Sequence, residues 1–499
     1  MKQMIKAICL MLALSTVATI LISCSDTSDK PTFSQDSSVN TSTDEQSEET
    51  TKILPDLPPR DFDGYTFRVI TKGDWDVHWK TKDIYAEELN GDPINDAVFN
   101  RNTKIGEQFN FTVKEIEEFS DYSGAAQRSI VAGSDDYDML AIALASMGSF
   151  STNGYVMDLK QIPYIDLEKP WYDQNANQSL SIANRLYSTT GELMIMDNDA
   201  IWVLLFNKPM AQELQLPNLY EAVQNSTWTL DLLYECVTAA PRDLNGDSKM
   251  DENDQWGILG ESFNTFALCV GAGNRVISKD KDDLPYISIN TPEFIAAFEK
   301  AFKINDRRSD HCFYVSNYLG KYSASDVWSQ CMDKMFSDGK VLFNFAGMNR
   351  VTLFRSMETD FGILPVPKGS ETQDRYYCAV SCWCASGIMI PITVTDFERT
   401  GIIIEALSAE SMYVLTPAYY EISLKTKYSR DNESQGMLDI IFASTVFDLG
   451  NIFDWGGVYS LPGTLTENSS TDFSSRYKKI EKSAIKNMEK TIEQYMSNF

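Results

Sequence analysis

Between residues 65 and 391 the chain repeats one pattern, a short apolar run followed by a longer amphipathic stretch, and this alternation constrains the fold more than any other feature. The apolar runs are YTFRVIT (65–71), YDMLAIAL (137–144), WVLLFN (202–207), KVLFNFAG (340–347), FGILPVP (361–367) and GIMIP (387–391). Their length and turn-residue borders predict buried strands. The stretches 92–109, 230–239, 291–304 and 395–407 carry helical patterning, so the chain predicts α/β architecture with parallel strands. Near the C-terminus Tyr477, Ile480, Ala484, Ile485, Met488, Ile492 and Tyr495 recur at three- and four-residue steps, which predicts a helix packed by one stripe. A chain of 499 residues with 43% hydrophobic side chains is long enough for more than one lobe, at about 100–200 residues per domain.

The first fifty residues belong to a different kind of sequence. Lys2 and Lys6 precede an uncharged, mostly apolar run ending at Ile22, and Ser23-Cys24 follows. A positive start and a short apolar segment with no stop-transfer flank predict an export signal rather than a spanning helix. LISC (21–24) resembles a bacterial lipobox, which implies cleavage after residue 23 and a lipid on Cys24. The following segment, 24–52, is dominated by Ser, Thr, Asp, Glu and Gln, and has too little apolar surface to offset its ordering entropy. It predicts a flexible tether, and the signal and tether together predict an extracytoplasmic protein anchored to the cell membrane.

Charge and composition exclude several functions. With 43 basic and 71 acidic side chains the formal charge is -28, so nucleic acid and anionic membrane surfaces are repelled at long range. Cys236, Cys269, Cys312, Cys331, Cys378, Cys382 and Cys384 form no CxxC pair, an odd number that does not describe a disulfide framework; they predict small buried side chains. No HExxH, GxSxG or phosphate-binding P-loop is present, so no enzyme chemistry is marked. Paired carboxylates could still serve a glycoside-acting enzyme.

Five segments, in order, carry a resemblance: AGSDDYDML (132–140), LFNKPMAQELQL (205–216), STWTLDLLYECV (226–237), MFSDGKVLFNFAG (335–347) and DFGILPVPKG (360–369). Together they resemble the extracellular solute-binding proteins of ABC importers, in the large maltose-binding-protein-like sugar branch. The resemblance implies a two-lobed periplasmic-binding-protein-like fold with hinge strands and a ligand cleft between the lobes. It implies capture of a carbohydrate, an oligosaccharide by preference, and its delivery to an ABC permease, with no catalysis. A peptide receptor or a surface glycoside-acting enzyme is the alternative. The implied organisation is a first lobe from 53–197 and 362–412, and a second from 198–361 completed by the C-terminal helices of 413–499. The crossings are then expected near 197–201 and 362–367.

Sugars present C–H faces and a rim of hydroxyls, so aromatic platforms beside short polar groups are the candidate site residues. Trp75 lies just past the first strand, with Trp79 a weaker candidate, and Asn198 and Asp199 lie at the inferred crossing. Met348 follows Gly347 where the family places an aromatic residue, and Trp383 precedes the strand at the lobe return. Trp455, next to Gly456-Gly457, matches a late tryptophan of the family that stacks on sugar.

One acidic loop, DLNGDSKMDENDQWG (243–257), stands apart. Asp243, Asn245, Asp247, Asp251 and Asp254 fall at positions one, three, five, nine and twelve, with the Lys249 carbonyl at position seven, which is calcium-loop spacing. Ser248 replaces the usual turn glycine and Asp254 the usual bidentate Glu, so the loop resembles a dockerin-type variant. A structural calcium ion is the expectation.

Overall fold

The computed structural model describes residues 52–73, 79–323, 326–420 and 432–497. The expected signal segment, Cys24, Trp75 and all but the last residue of the tether lie outside these residues. Leu54–Phe499 forms one compact unit.

Two sheets organise that unit. The first has the order β12-β3-β1-β2, where β1 is Tyr65–Lys72, β2 Phe111–Glu118, β3 Met139–Ala143 and β12 Ser386–Met389. The second has the order β10-β4-β9-β5-β8, built from β4 (Trp202–Asn207), β5 (Trp256–Gly260), β8 (Cys312–Tyr314), β9 (Val341–Gly347) and β10 (Phe361–Leu364). Every residue of β3, β5 and β9 is buried. That is why these strands read as continuous apolar runs rather than alternating ones.

The strands are not all parallel, as the alternation had predicted. β1 runs parallel to β2 and β3, but β12 is antiparallel to β3. In the second sheet β5 is parallel to β8 and β9, whereas β4 is antiparallel to β9 and β10 to β4. The exceptions on the crossing path, β4 and β12, belong to chain that has just passed from one lobe to the other and enters its sheet from the far end.

The connecting helices begin where the sequence supplies caps. Asp92 accepts hydrogen bonds from Ile94 N and Asn95 N at the start of Pro93–Phe109, and Thr291 accepts from Phe294 N at the start of Pro292–Ile304. Thr229 caps Leu230–Ala239, and the preceding Trp228, fully buried, donates its indole N–H to Pro365 O at 2.9 Å. The Thr-Trp and Pro-Val-Pro segments, far apart in sequence, are therefore one packing unit.

Among the described residues, short extended segments pair where the chain passes between the lobes. Ile201 bridges Val380, and β11 (Cys378–Ala379) pairs in parallel with β13 (Thr445–Val446). Ile201 leads from the first lobe into β4 of the second sheet. β10, expected to lead back into the first lobe, is paired with β4 inside the second sheet, so the chain returns near 378–382, where Val380 bridges Ile201. The prolines that follow β10 end it but do not redirect the chain across the waist. The helix expected over 395–407 extends over Phe397–Pro417, and the C-terminal helix over Phe473–Ser497. Cys236, Cys269, Cys312, Cys331, Cys378 and Cys382 are buried and unpaired, and Cys384 is half-buried.

Candidate functional site at the junction of the lobes

The C-terminal end of β9 meets the first lobe. A Cβ added to Gly347 would stand 2.7 Å from Cη2 of Trp79 and 3.1 Å from Asp199 O, and Met348 N donates to Ile201 O at 2.9 Å. In open α/β sheets ligands bind at this edge of the strands.

On the first-lobe side Lys72 ends β1 with no exposure at all, and its Nζ donates to Cys384 O. Burial lowers the Lys72 ammonium to about 8, with Cys384 and Asp83 opposing the shift. The bond fixes the turn that presents Trp383, which is 62% exposed. A tryptophan so exposed beside a strand end has its indole face available to a ligand. Nearby, Glu115 accepts from Thr71 Oγ1 at 2.7 Å, and burial pushes its carboxyl up to about 7.

The crossing itself is tightly bonded. Asp199 is buried, takes the Tyr419 hydroxyl on Oδ1 at 2.9 Å and pairs with Lys82 Nζ through Oδ2 at 2.8 Å. Both of its oxygens are thus engaged within the protein. Asn198 is half-buried next to it. Asp197 accepts from Thr190 Oγ1 and Asn198 N, both at 2.8 Å, and burial raises its carboxyl well above the usual range.

The second-lobe side carries an aromatic wall that the sequence reading missed. Trp202, the first residue of β4, pairs with Gly347 across the sheet. Its ring lies 4.7 Å from Phe263 and meets Phe345 edge-on at 5.8 Å. Phe263 contacts Phe266 at 5.5 Å, and Phe266 contacts Tyr459 at 4.7 Å. Trp202, Phe263 and Tyr459 remain half-exposed, and the buried indole nitrogen of Trp202 has no hydrogen-bond partner. Beside this wall Glu261 precedes the helix Ser262–Gly271. Burial pushes its carboxyl up to about 7, opposed by an indole hydrogen bond from Trp328 and by the Arg350 charge. Arg350 is 8% exposed and its Nε donates to Asp333 Oδ1 at 3.2 Å. The site thus offers aromatic faces, an acceptor in Glu261 and donors in Trp202 and Arg350. The sequence signal for Trp202 was its place at the head of an apolar run, where it counted only as a strand residue.

Two expected site residues turn their side chains into the core. Met348 is fully buried. Trp455 is 4% exposed, stacks on Phe453 at 4.7 Å and donates its indole N–H to Thr491 Oγ1 at 2.9 Å. Gly456 next to it has φ +63°, and a Cβ there would stand 2.7 Å from Ala484. The glycine pair therefore admits the last helix rather than a ligand, and Trp455 is a packing residue in this arrangement.

The acidic loop lies apart from this junction. Asp243 accepts from Gly246 N at 2.6 Å and Ser248 N at 2.7 Å, Asn245 from Asp247 N at 2.9 Å, Asp247 from Lys249 N at 2.8 Å and Asp251 from Asn253 N at 2.7 Å. Ser248 has φ 63°, the conformation for which a glycine is usual at that position. Asp254, fully buried, takes Leu244 N and Asp251 N on its two oxygens. The oxygen donors suit calcium by type and order, yet among the described residues no three acidic, His or Cys side chains converge as an ion-holding group.

The fold and the junction together define a two-lobed periplasmic-binding-protein-like architecture. No protein-family model and no curated protein sequence matches the chain. Solved structures do. A cyclo/maltodextrin-binding protein complexed with maltotetraose matches with TM-score 0.53 and 15% identity, over 86% of this chain and 97% of the other. A sugar transporter protein from Rhizobium etli in an open conformation matches with TM-score 0.54 and 13% identity, over 87% and 100%. UgpB from Mycobacterium tuberculosis, in complex with glycerophosphocholine, matches with TM-score 0.53 and 16% identity, over 79% and 95%. At these identities the likeness establishes the fold.

Proposed function

We propose that the chain is the substrate-binding component of an ABC importer, a non-enzymatic receptor that captures an extracellular carbohydrate between its lobes and delivers it to the permease. The observation that carries this reading is the aromatic wall of Trp202 and Phe263 at the lobe junction, with the exposed Trp383 presented at the end of the first sheet. Apolar sugar faces stack on such rings, while Glu261, Asn198, Arg350 and the Trp202 indole supply hydroxyl partners. The maltotetraose bound by one fold relative and the sugar-transport role named for another support the same ligand class. Closure of the lobes would remove the ligand from water, driven by its extra contacts in the closed state.

In this reading residues 1–23 direct export, a lipid on Cys24 anchors the protein outside the cytoplasmic membrane, and the tether lets the receptor reach its permease. No helix among the described residues is long and apolar enough to cross a membrane. We also propose calcium at Asp243, Asn245, Asp247, Lys249, Asp251 and Asp254, a reading that rests on the spacing and on the backbone turns of the loop.

The deciding experiment is a thermal-shift screen of residues 53–499 against mono- and oligosaccharides and peptides, because a ligand bound only by the folded state raises the melting temperature. Stabilisation by oligosaccharides is expected. Stabilisation by peptides alone, or steady glycoside turnover, overturns the proposal.

A further inference from the structure

Besides the crossings, two arms of the second lobe reach over and hold the first. One is the hairpin of β6 (Ile277–Lys279) and β7 (Pro285–Ile287). Its root is fixed where Val276 N and Ile277 N donate to the Asp448 carboxylate at 2.7 and 3.2 Å, just past β13. Its tip grips the end of the helix Gln174–Leu180 and the turn after it in the first lobe. Lys279 Nζ donates to Ser181 O at 3.1 Å and Ser181 Oγ at 2.9 Å. Asp283 accepts from Ser181 Oγ at 3.0 Å and from Asn184 N at 2.8 Å, and its backbone carbonyl accepts from Ala183 N at 3.0 Å. Lys279 and Asp283 also pair with each other, and their side chains are only 16% and 17% exposed. The receiving turn is specialised, since Ala183 and Asn184 both take left-handed backbone conformations, φ 52° and 61°.

The second arm is the C-terminal helix Phe473–Ser497, about 37 Å long at 1.5 Å per residue. Its first residue is anchored in the second lobe, with the Phe473 ring tilted against Phe294 and Phe298 at 5.5 and 5.0 Å. Its last turn is anchored in the first lobe. There Tyr495, fully buried, meets Tyr187 edge-on at 4.9 Å and donates to Ser151 Oγ at 2.8 Å, and Gln494 Nε2 donates to Thr152 O at 3.2 Å. The helix also packs against β7, so the two arms lie side by side.

We propose that these two arms form an interlobe clasp that sets the resting angle of the lobes, and that lobe movement proceeds by slipping of the seam between the arms and residues 151–187. Short crossings alone leave a two-lobed protein free to swing about them. A clasp anchored in both bodies cannot stay fully made while that angle changes, because packed interfaces switch between discrete arrangements rather than stretch. The polar half of the seam is suited to slipping, since Lys279 and Asp283 are partly hydrated and their lost bonds return to water. The apolar half, around Tyr187 and Tyr495, supplies the resting preference. The inference rests on the proposed receptor reading only in assuming that the lobes move.

The test needs no ligand, so its failure is separate from failure of the carbohydrate proposal. Small-angle scattering and amide exchange are compared for the full chain and for Asp283→Asn, Lys279→Met and Tyr495→Phe. The expected result is exchange at Ala183 and Asn184 faster by about tenfold, unchanged protection in β3 and β9, and a larger radius of gyration in the variants. Faster exchange with superimposable scattering overturns the clasp, since the contacts would then be local only. Loss of protection in β3 and β9 in all three variants also overturns it, because the seam would then be ordinary core. Tyr495→Phe keeps the ring and removes one hydroxyl, so it tests the seam if the charge variants do not fold.

Discussion

Gly347 lies against the Trp79 ring, with room for a hydrogen and not for a methyl group: a Cβ would stand 2.7 Å from Cη2. The contact joins the end of β9 to the first lobe, and Asp199 O and Asn349 Oδ1 close the remaining sides at 3.1 and 3.0 Å. Gly347→Ala is expected to destabilise the protein by about 1–3 kcal/mol, the usual cost of overpacking. Adding Trp79→Leu should recover part of that loss in a double-mutant cycle, measured by chemical denaturation; strict additivity would show that the two residues do not press on each other.

Two tryptophans should separate stability from binding. Trp455→Ala removes a buried ring, its stack on Phe453 and its bond to Thr491, and is expected to cost about 3–5 kcal/mol of folding free energy. Trp455→Phe should cost much less, since it retains most of the packing.

Trp383→Ala is expected to do the reverse. The side chain is 62% exposed, so its removal should leave the melting temperature within a degree or two, while oligosaccharide affinity falls roughly tenfold through loss of one stacking face. Calorimetric titration against the best ligand of the screen gives the answer, and unchanged affinity removes Trp383 from the site.

Stability should decline from mildly acid to mildly alkaline pH. Burial raises the Glu261 and Glu405 carboxyls from 4.5 to about 7, so the folded state holds protons that the unfolded chain has already released. The contribution of each is favourable below the unfolded value, fades as pH rises between 4.5 and about 7, and is a constant cost above. Glu405 is 2% exposed and accepts the Tyr172 hydroxyl at 2.6 Å, a bond that an amide oxygen can also accept. Glu405→Gln should therefore raise stability at pH 8 by on the order of 1 kcal/mol and leave pH 5 nearly unchanged. A parallel drop at both pH values would mean that the charge is not the cause.

Calcium should raise the melting temperature and chelator should lower it, if the loop 243–254 closes on an ion. A hundredfold excess over the dissociation constant corresponds to about 2.7 kcal/mol of stabilisation. Asp247→Ala, at position five of the loop and remote from the lobe junction, should abolish the response; a response retained in that variant places the ion elsewhere.

How much of this was legible in the sequence depended on burial. Strands β3, β4 and β9 are covered on both faces and announce themselves as apolar runs. β2, FTVKEIEE, is an edge strand in which only Phe111 is fully buried, and its glutamates concealed it. β5 was hidden behind the acidic loop that leads into it. The return crossing was misplaced because two prolines after β10 look like a lobe boundary, whereas the true crossing at Val380 is marked only by pairing to Ile201, which no local pattern records. The site divided in the same way. Trp383 could be picked out as a tryptophan outside any apolar run, while Trp202, Phe263 and Glu261 come together only through the packing of β4 against β9 and the helix after β5. Trp455 shows the converse, an isolated Trp-Gly-Gly whose glycines serve a helix approach.

The antiparallel strand β12 has a consequence for the order in which the protein is made. Its partner β3 emerges from the ribosome roughly 240 residues earlier, and everything between them includes the whole of the second sheet. The first sheet therefore waits, one edge unsatisfied, until synthesis has passed Met389, while the second sheet already has all five of its strands. A nascent chain in that condition carries the open edge of β3 from about residue 143 until Met389 has been made.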